Sequence, residues 1–406
     1  MANVYRMIID EFERRQAYHY DLFPPFFICS VACHFFNILN EQRHFWTQAG
    51  EDVNTRLNIL FVAPLGQEKS FWIRQFLRGE NSILEGVGNV IPVSTHQFLT
   101  EAAYVGTRRF GDKGQVIPHE GIIEEKDKFI IGFEEVSDLF KGAKEKNYNI
   151  GFNDALLTSL DNGDVSKKVA AGEIRFKTHL TMWAGTQPAR MDLESGMDRR
   201  FLFLFNAPTK QSMKELTDKY FEGTNVELDT SNLFEIQKAI RDKCNQLSTN
   251  LNKITFSKGF RDFLKSLDLA SYDIKIYEKI ALGYNIMVAH DIGNELNITL
   301  DNELRRLILL EHAWRKKIKE GPEISVVFSY IESTGGDLDL DLCRDALLKL
   351  GFNYDNSTEN LKNLIKSKKI KIENDRIFLV KKPNLEFKIE DINDKFGEEL
   401  EQEIIE

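Results

Sequence analysis

The segment Asn58-Ile-Leu-Phe-Val-Ala-Pro-Leu-Gly-Gln-Glu-Lys-Ser-Phe71 joins an apolar run to a short Pro/Gly loop and then to a Lys-Ser pair. A strand, loop and helix start of this kind turn backbone N–H groups towards an anion, and the lysine reaches the terminal phosphates of a nucleotide. Lys69 and Ser70 fit the phosphate-loop pattern G-x-x-x-x-G-K-[ST], whereas Ala63 and Glu68 replace its two glycines. A chance strand–turn–helix is the alternative. The residues predicted to contact a nucleotide are Pro64, Leu65, Gly66, Gln67, Glu68, Lys69 and Ser70.

A second apolar run, Lys128–Val136, ends in two adjacent carboxylates. Buried parallel strands are continuous apolar runs, and ligands of such sheets bind at the carboxyl ends of the strands. We therefore expect Glu134 to face Mg²⁺ beside Ser70, and Glu135 to polarise the water that attacks ATP. A strand that ends in a solvated acidic turn is the alternative.

The composition is typical of a soluble globular protein. The chain has 406 residues, 42% hydrophobic and 29% charged, which suffices for two or three domains. The four cysteines form neither a CxxC pair nor a cluster with histidine, which favours a reducing, intracellular (cytoplasmic) location. Polar residues and prolines interrupt the apolar stretch 22–39, so we expect a buried helix there and no membrane span. The N-terminus does not have the pattern of a signal peptide.

The net charge of −10 is concentrated at the C-terminus. Residues 390–406 carry eight acidic side chains and one lysine, and we expect 383–406 to form a disordered acidic tail. The rest of the chain is nearly balanced. The basic clusters 315–319 and 366–371 are therefore candidates for contact with nucleic acid.

Three regions precede the tail. Residues 1–210 combine a helical, aromatic-rich lead-in with short apolar strands that alternate with helices, which predicts an α/β core with a parallel sheet. Residues 211–320 show long amphipathic runs and few strand signals, which predicts a helical lid subdomain. Gly321-Pro322 marks the boundary to a compact unit, 321–382.

The pattern of 321–382 predicts a winged helix-turn-helix, with an unrelated small α+β cap as the alternative. The expected elements are helices at 324–333 and 341–350, a third helix capped by Ser357 or Thr358 and ending at 365, and a hairpin around Asn374-Asp375. Basic residues lie where the third helix passes into the wing, and they either contact DNA phosphates or are simply solvated. These residues are Lys366, Lys368, Lys369 and Lys371.

Between the paired carboxylates and residue 210, the sequence predicts a charged hairpin and two strands. The hairpin is expected at 165–177 with its turn at 170–173, followed by the strand 179–188 and by an apolar strand after Arg199-Arg-Phe201. Basic residues on the hairpin arms either face DNA or are solvated. These residues are Lys167, Lys168, Arg175 and Lys177.

Taken in order, the segments of residues 20–315 resemble the AAA+ core of the minichromosome maintenance (MCM) replicative helicases. Ala63-Pro-Leu-Gly-Gln-Glu-Lys-Ser70 is similar to the family's phosphate loop G-D-P-G-x-x-K-S. Residues 121–135 look like the family's segment that ends in an Asp-Glu pair.

The later segments resemble the same family. Residues 165–174 are similar to its presensor hairpin, and Ala184-Gly-Thr-Gln-Pro188 to its A-A-x-N-P sensor strand. Arg199-Arg-Phe201 is similar to its S-R-F arginine finger, and 299–313 to the lid helix that carries its second sensor. Members of the family commonly add a C-terminal winged helix.

The resemblance implies a hexameric ring that couples ATP hydrolysis to DNA translocation, unwinding or remodelling in replication, with replication proteins as further partners. In that arrangement Lys69 holds the β- and γ-phosphates, Gln187 senses the γ-phosphate, and Arg200 completes the site of the neighbouring subunit. We also expect a chain without the family's large N-terminal DNA-encircling domain, as in an accessory subunit or a protein of a mobile element or virus.

Several positions depart from the family pattern. They are Ala63 and Glu68 in the loop, Glu134 for Asp, Gln187 for Asn, Asp301 for the second-sensor Arg, and Ala170 for the hairpin-tip Lys. A carboxylate at position 68 opposes phosphate, so we expect slow or partner-dependent hydrolysis.

Two other functions remain open. One is a DNA-binding initiator or helicase loader that resembles the origin-recognition family and uses ATP as an assembly switch. The degenerate loop and modest size favour it, whereas the presensor hairpin favours the helicase. The other is a structural paralogue that binds no nucleotide.

Overall fold

The computed structural model describes residues 3–96, 101–110, 115–136, 150–169, 172–191, 196–222, 231–267 and 269–380. The expected acidic tail at 383–406 and the hairpin-tip residue Ala170 lie outside these ranges.

Within those ranges the chain forms helices, strands and three short 3-10 turns. The helices are α1 (Val4–Arg14), α2 (Pro24–Arg43), α3 (Lys69–Leu77), α4 (Glu101–Val105), α5 (Ile122–Glu125), α6 (Ile150–Asp161), α7 (Lys210–Glu222), α8 (Leu233–Asn250), α9 (Lys258–Lys265), α10 (Ser271–Val288), α11 (Asn302–Glu320), α12 (Pro322–Ser333), α13 (Leu340–Lys349) and α14 (Tyr354–Lys366). The strands are β1 (Thr47–Gln48), β2 (Glu51–Asp52), β3 (Asn58–Val62), β4 (Val93–His96), β5 (Gly106–Phe110), β6 (Val116–Glu120), β7 (Ile130–Phe133), β8 (Asp164–Val169), β9 (Gly172–Lys177), β10 (Thr181–Thr186), β11 (Phe201–Phe205), β12 (Lys253–Phe256), β13 (Glu295–Ile298), β14 (Asp337–Asp339), β15 (Ile370–Glu373) and β16 (Arg376–Leu379). The 3-10 turns are Glu85–Val87, Pro188–Arg190 and Met197–Arg199.

The centre of the protein is a five-stranded parallel sheet flanked by helices, with the strand order β11-β3-β10-β7-β4. Every residue of β3, β7, β10 and β11 is buried, whereas the edge strand β4 is half-buried. Continuous apolar strands are typical of parallel sheets that are covered on both faces. The predicted α/β class with a parallel sheet is confirmed.

A glycine in the sheet brings α3 close to it. A Cβ at Gly132 of β7 would lie 2.5 Å from Cγ2 of Ile73 and 2.8 Å from Cδ1 of Leu77, both on α3. Any larger residue would push the helix away, because both neighbours are packed in the core. The middle and end of α3 are thereby packed closely against the sheet.

The aromatic-rich lead-in forms helices that pack onto the sheet. Ser30 of α2 accepts a hydrogen bond from Nε1 of Trp183 in β10 at 2.7 Å. His34 lies 2.9 Å from the hydroxyl of Thr181, and burial lowers the pKa of its imidazole to about 4. The apolar stretch 22–39 is thus the expected buried helix. In the part of the chain that is described, no helix is long and apolar enough to cross a membrane.

Residues 211–320 form the predicted helices and, in addition, a short parallel strand pair, β12–β13. Helix α10 packs closely on α2, because a Cβ at Gly283 would lie only 2.3 Å from the carbonyl oxygen of Cys29. All four cysteines are buried free thiols.

Arg315 is an exception within the expected basic cluster at 315–319, whose Lys316, Lys317 and Lys319 are exposed. Its buried guanidinium binds the carboxylate of Glu311 at 2.6 Å and donates to the carbonyls of Asp198 at 2.5 Å and Phe201 at 2.8 Å. A buried charge needs such partners because burying it unpaired is costly. Arg315 therefore joins α11 to the start of β11 and is not available to nucleic acid.

The C-terminal unit consists of α12, α13, α14 and an antiparallel sheet with the order β14-β16-β15. The first two helices lie within two residues of their predicted bounds. The expected hairpin at Asn374-Asp375 is confirmed. Both residues have positive φ, 51° and 57°, as a two-residue type I′ turn requires.

The third helix of this unit begins earlier than predicted. Its N-cap is Asn353, whose side chain accepts a hydrogen bond from the N–H of Asn356 at 2.7 Å, so neither Ser357 nor Thr358 caps it. Asparagine is as effective an N-cap as serine, and it comes first in the chain.

Candidate functional site

The predicted phosphate loop connects β3 to α3 at the carboxyl edge of the sheet. Gly66 and Glu68 both have left-handed backbone, with φ of 70° and 57°. Glu68 thus adopts a conformation that glycine takes without strain. Its carboxylate lies 2.6 Å from Nδ1 of His19, outside the loop.

Lys69 is folded back onto its own loop. Its ammonium donates hydrogen bonds to the carbonyls of Ala63 and Pro64, each at 2.8 Å. Burial lowers the pKa of Lys69 to about 8, while the nearby charge of Glu135 acts in the opposite direction. The ammonium has three N–H donors, so a phosphate can bind through the third donor or by replacing the carbonyl partners.

The structure brings two of the predicted catalytic side chains, Glu135 and Gln187, close to the predicted phosphate-binding Lys69. Glu135 follows β7, and its Oε2 accepts a hydrogen bond from Nε2 of Gln187, which follows β10, at 3.3 Å. Lys69 is close enough to Glu135 for their charges to interact. Gly185 of β10 allows these three residues to approach one another. A Cβ at this position would lie 2.5 Å from the carbonyl oxygen of Glu134 and 3.4 Å from Cβ of Lys69.

Glu134, the expected Mg²⁺ ligand, is bound by Arg74 of α3 and by Arg78, the residue that follows this helix. Nε of Arg74 donates to it at 2.7 Å, Nη2 of Arg74 donates to its other oxygen, and Nη1 of Arg78 lies 3.6 Å away. A bidentate arginine occupies both oxygens of a carboxylate. No group of three or more His, Cys, Asp or Glu side chains among the described residues could hold a metal. This arrangement does not fit Mg²⁺ at Glu134.

The expected finger residue, Arg200, is held within its own chain. Its guanidinium, 10% exposed, binds Asp161 at 3.0 Å and the carbonyls of Gly196 and Leu157 at 2.8 and 3.0 Å. The adjacent Arg199 is exposed. The structure therefore does not bring Arg200 to Lys69, and its partner Asp161 would have to release it before it could reach another subunit.

The charged hairpin is present as β8 and β9, with Val169 opposite Gly172. Lys168 and Arg175 are exposed on its arms. Lys177 binds Glu41, which also binds His179, so its charge is already neutralised. The side chain of Lys167 lies outside the described residues, although its backbone pairs with Ile174.

A second hairpin, β5–β6, lies beside the first, with β5 against β9. Its last described pair, Phe110 and Val116, is 64% and 46% exposed. The sequence did not predict this hairpin, because its strands are short, polar and interrupted by Pro118. Two hairpins with exposed side chains thus lie side by side on the protein surface.

The predicted basic run of the C-terminal unit is on the surface. Lys366 and Lys368 are exposed. Lys369 lies over the ring of Phe328 at 5.1 Å, and Lys371 binds Glu373 at 3.0 Å. Lys366 and Lys368 are therefore the better placed of the four for contact with a phosphate backbone.

Two residues near the loop were not found from the sequence. Arg74 lies one helical turn after Ser70, on the same face of α3, and that spacing could have indicated it. Arg190, in the turn after β10, carries a positive charge that also lowers the pKa of Lys69. Asp301, at the expected second-sensor position, instead caps α11 by accepting the N–H of Leu304 at 2.8 Å.

The sequence matches no protein-family model, and a search of curated proteins found no match. A functional assignment therefore depends on the sequence and structure of this chain alone.

Proposed function

We propose that the protein is an MCM-like AAA+ ATPase that assembles into a ring and couples ATP hydrolysis to movement along DNA or remodelling of DNA. One observation carries this proposal. Glu135 and Gln187 directly follow the strands β7 and β10, Lys69 opens the helix that comes after β3, and the three side chains meet at the carboxyl edge of one parallel sheet. Ligands of open α/β sheets bind at this edge.

The order of the strands supports the AAA+ assignment. Strand β10 lies between β3, which leads into the loop, and β7, which leads into the carboxylates. A polar residue at the end of the middle strand then lies between the lysine and the acid, as Gln187 does. This is the layout that the resemblance to AAA+ cores leads one to expect.

The residues divide the chemistry among them. Lys69 exchanges the carbonyls of Ala63 and Pro64 for β- and γ-phosphate oxygens. Glu135 orients the attacking water and accepts its proton, and Gln187 holds both this carboxylate and the γ-phosphate. The change of partners at Lys69 is electrostatically favourable, because a phosphate oxygen carries a negative charge whereas a carbonyl group is only a dipole.

Two features support DNA as the partner. Exposed Lys168 and Arg175 lie on the two arms of the hairpin β8–β9. The C-terminal unit has the helix and strand order of a winged helix, with Lys366 and Lys368 exposed at the end of α14. Surface lysines and arginines release counterions when they contact phosphates, which is the main source of affinity for DNA.

A DNA-binding initiator or loader is the second candidate, and the state of Arg200 favours it. A translocating ring needs this arginine in the neighbouring site, yet it is bound to Asp161 of its own chain. With Glu134 also bound by Arg74, the same fold would serve ATP binding better than rapid turnover.

ATP turnover measured with and without single-stranded DNA, together with the size of the particle in solution, tests the proposal. The proposal expects a ring whose turnover depends on Lys69 and rises with single-stranded DNA. ATP binding with little turnover and preferential affinity for duplex DNA would favour the initiator. The absence of any effect of Lys69→Ala on ATP binding would exclude both.

A further inference from the structure

Glu68 carries a charge that opposes the proposed function. It directly precedes α3, whose N-terminus bears the partial positive charge that attracts anions. A carboxylate that was free at this position would bind the helix N-terminus itself. It would then act as an internal competitor of phosphate.

The carboxylate is instead held by His19, in the segment between α1 and α2. Nδ1 of His19 lies 2.6 Å from Oε2 of Glu68, whose side chain is only 5% exposed. Tyr18 packs on the imidazole with 3.9 Å between ring centroids, and Phe23 contacts it edge-on at 5.3 Å. Glu68 is thus turned into the protein, away from the exposed crest of the loop at Leu65.

The fold itself fixes the position of His19. Phe23 packs on Phe61 of β3, the strand that leads into the loop, with 4.6 Å between ring centroids. The N–H groups of Leu22 and Phe23 donate to the carbonyl of His19 at 3.0 and 3.4 Å. The backbone of His19 is left-handed, with φ of 58°. Such a conformation persists only where the surroundings enforce it.

We propose that His19 is a positioning residue of the nucleotide site: it holds the Glu68 carboxylate off the N-terminus of α3, so that the phosphates of a nucleoside triphosphate bind there. This role rests on the proposed nucleotide binding. It reconciles a glutamate at the glycine position of the loop with an anion site, because the charge is present but bonded elsewhere.

The Kd of ATP for the full chain and for matched variants tests this role. His19→Ala should weaken binding about ten-fold, which corresponds to ~1.4 kcal/mol. Glu68→Gln should bind ATP at least as tightly as the parent, since the amide carries no charge. The double variant should bind like Glu68→Gln alone. His19→Gln, which keeps an N–H donor, should bind like the parent.

His44→Ala is the matched control, because His44 pairs with a carboxylate, Asp52, at 2.8 Å in another part of the fold. This variant should keep the Kd of the parent. Thermal unfolding of each variant separates lost binding from a lost fold. The double variant does so independently, because a general loss of stability caused by His19→Ala would persist in it.

The outcomes are distinguishable. A His19→Ala protein with the Kd of the parent, or a double variant as weak as His19→Ala, overturns the role of His19 and leaves the proposed function standing. If the parent and Lys69→Ala bind ATP equally weakly, nucleotide binding itself is wrong and the role of His19 is overturned with it. Weakening by His19→Ala that Glu68→Gln reverses supports both.

Discussion

The backbone N–H of Leu65, in the phosphate loop, donates a hydrogen bond to the carbonyl oxygen of Leu350 at 3.4 Å. The turn between α13 and α14 therefore rests on the crest of the loop. Gly351 continues this contact, because a Cβ there would lie 2.8 Å from Cδ1 of Leu65. A conformational change of the loop at Leu65 would therefore alter its contacts with the C-terminal unit.

Gly351→Ala should disturb this contact. It introduces strain at φ of 90° and pushes against Leu65, so the Leu65 amide should exchange its hydrogen faster. Gly335→Ala is the control, since Gly335 has φ of 78° and no atom within 4 Å of the added Cβ. Both variants should lose about 1 kcal/mol of stability to backbone strain. Equal exchange at Leu65 in the two variants would contradict the contact.

Glu135→Gln should keep ATP binding and lose hydrolysis by ~10²–10⁴-fold, because the amide cannot accept a proton from water. Single-turnover assays with equilibrium binding of ATP measure both quantities. Glu134→Gln provides the comparison: we expect it to weaken the pair with Arg74 and to lower thermal stability. Hydrolysis by Glu135→Gln at the parent rate would exclude Glu135 as the base.

The depressed pKa of Lys69 predicts opposite effects of pH on stability and on binding. The pKa falls from 10.5 to about 8 mainly through burial, so between these values the unfolded chain binds more protons than the folded one. The free energy of unfolding should therefore rise with pH across this window, relative to Lys69→Met. ATP affinity should fall over the same window, because a neutral amine no longer attracts phosphate. Denaturant titrations and Kd measurements on both proteins check the two signs.

Mixing two inactive variants tests whether Arg200 acts between subunits. Arg200→Ala and Lys69→Ala should each abolish turnover, yet a mixture should recover part of it, because some interfaces pair an intact lysine with an intact arginine. Arg199→Ala, one residue away, is the control and should retain turnover alone. A monomeric particle with full ATPase activity would rule out the ring.

Charge reversal separates the two candidate DNA surfaces. Lys168→Glu on the hairpin should abolish stimulation of turnover by single-stranded DNA and leave basal turnover unchanged. Lys366→Glu with Lys368→Glu should weaken binding to duplex and reduce its salt dependence by a slope of about one per lost phosphate contact. If only the Lys366→Glu, Lys368→Glu variant changes DNA binding or turnover, the initiator function is favoured over the helicase function.

The sequence predicted the elements whose structure depends mainly on neighbouring residues, such as strands, turns and loops. The strands β3, β7, β10 and β11 are continuous apolar runs, and a buried parallel strand has that pattern whatever its neighbours are. The hairpin at Asn374-Asp375 follows from the positive φ that these two residue types tolerate. The loop before Lys69 could be predicted in the same way, because an apolar strand, a Pro/Gly turn and a helix start are adjacent in the sequence.

Pairings between distant segments could not be predicted in this way. Strands β12 and β13 pair although a helical stretch separates them, and each is too short to show a period. The sequence does not show whether Arg315 is buried or exposed. Only the folded structure shows that it is buried and paired with Glu311. The pairing of Glu134 with Arg74 likewise depends on how closely α3 packs on the sheet.

Arg315 also has a mechanical consequence. Its guanidinium binds the carbonyls of Asp198 and Phe201, the residues on either side of Arg199 and Arg200. Helix α11 is thereby bonded to the backbone on both sides of this arginine pair. A displacement of the helix would therefore have to carry the backbone of Arg199 and Arg200 with it or break these buried hydrogen bonds, which couples the position of the arginine pair to that of the helical region.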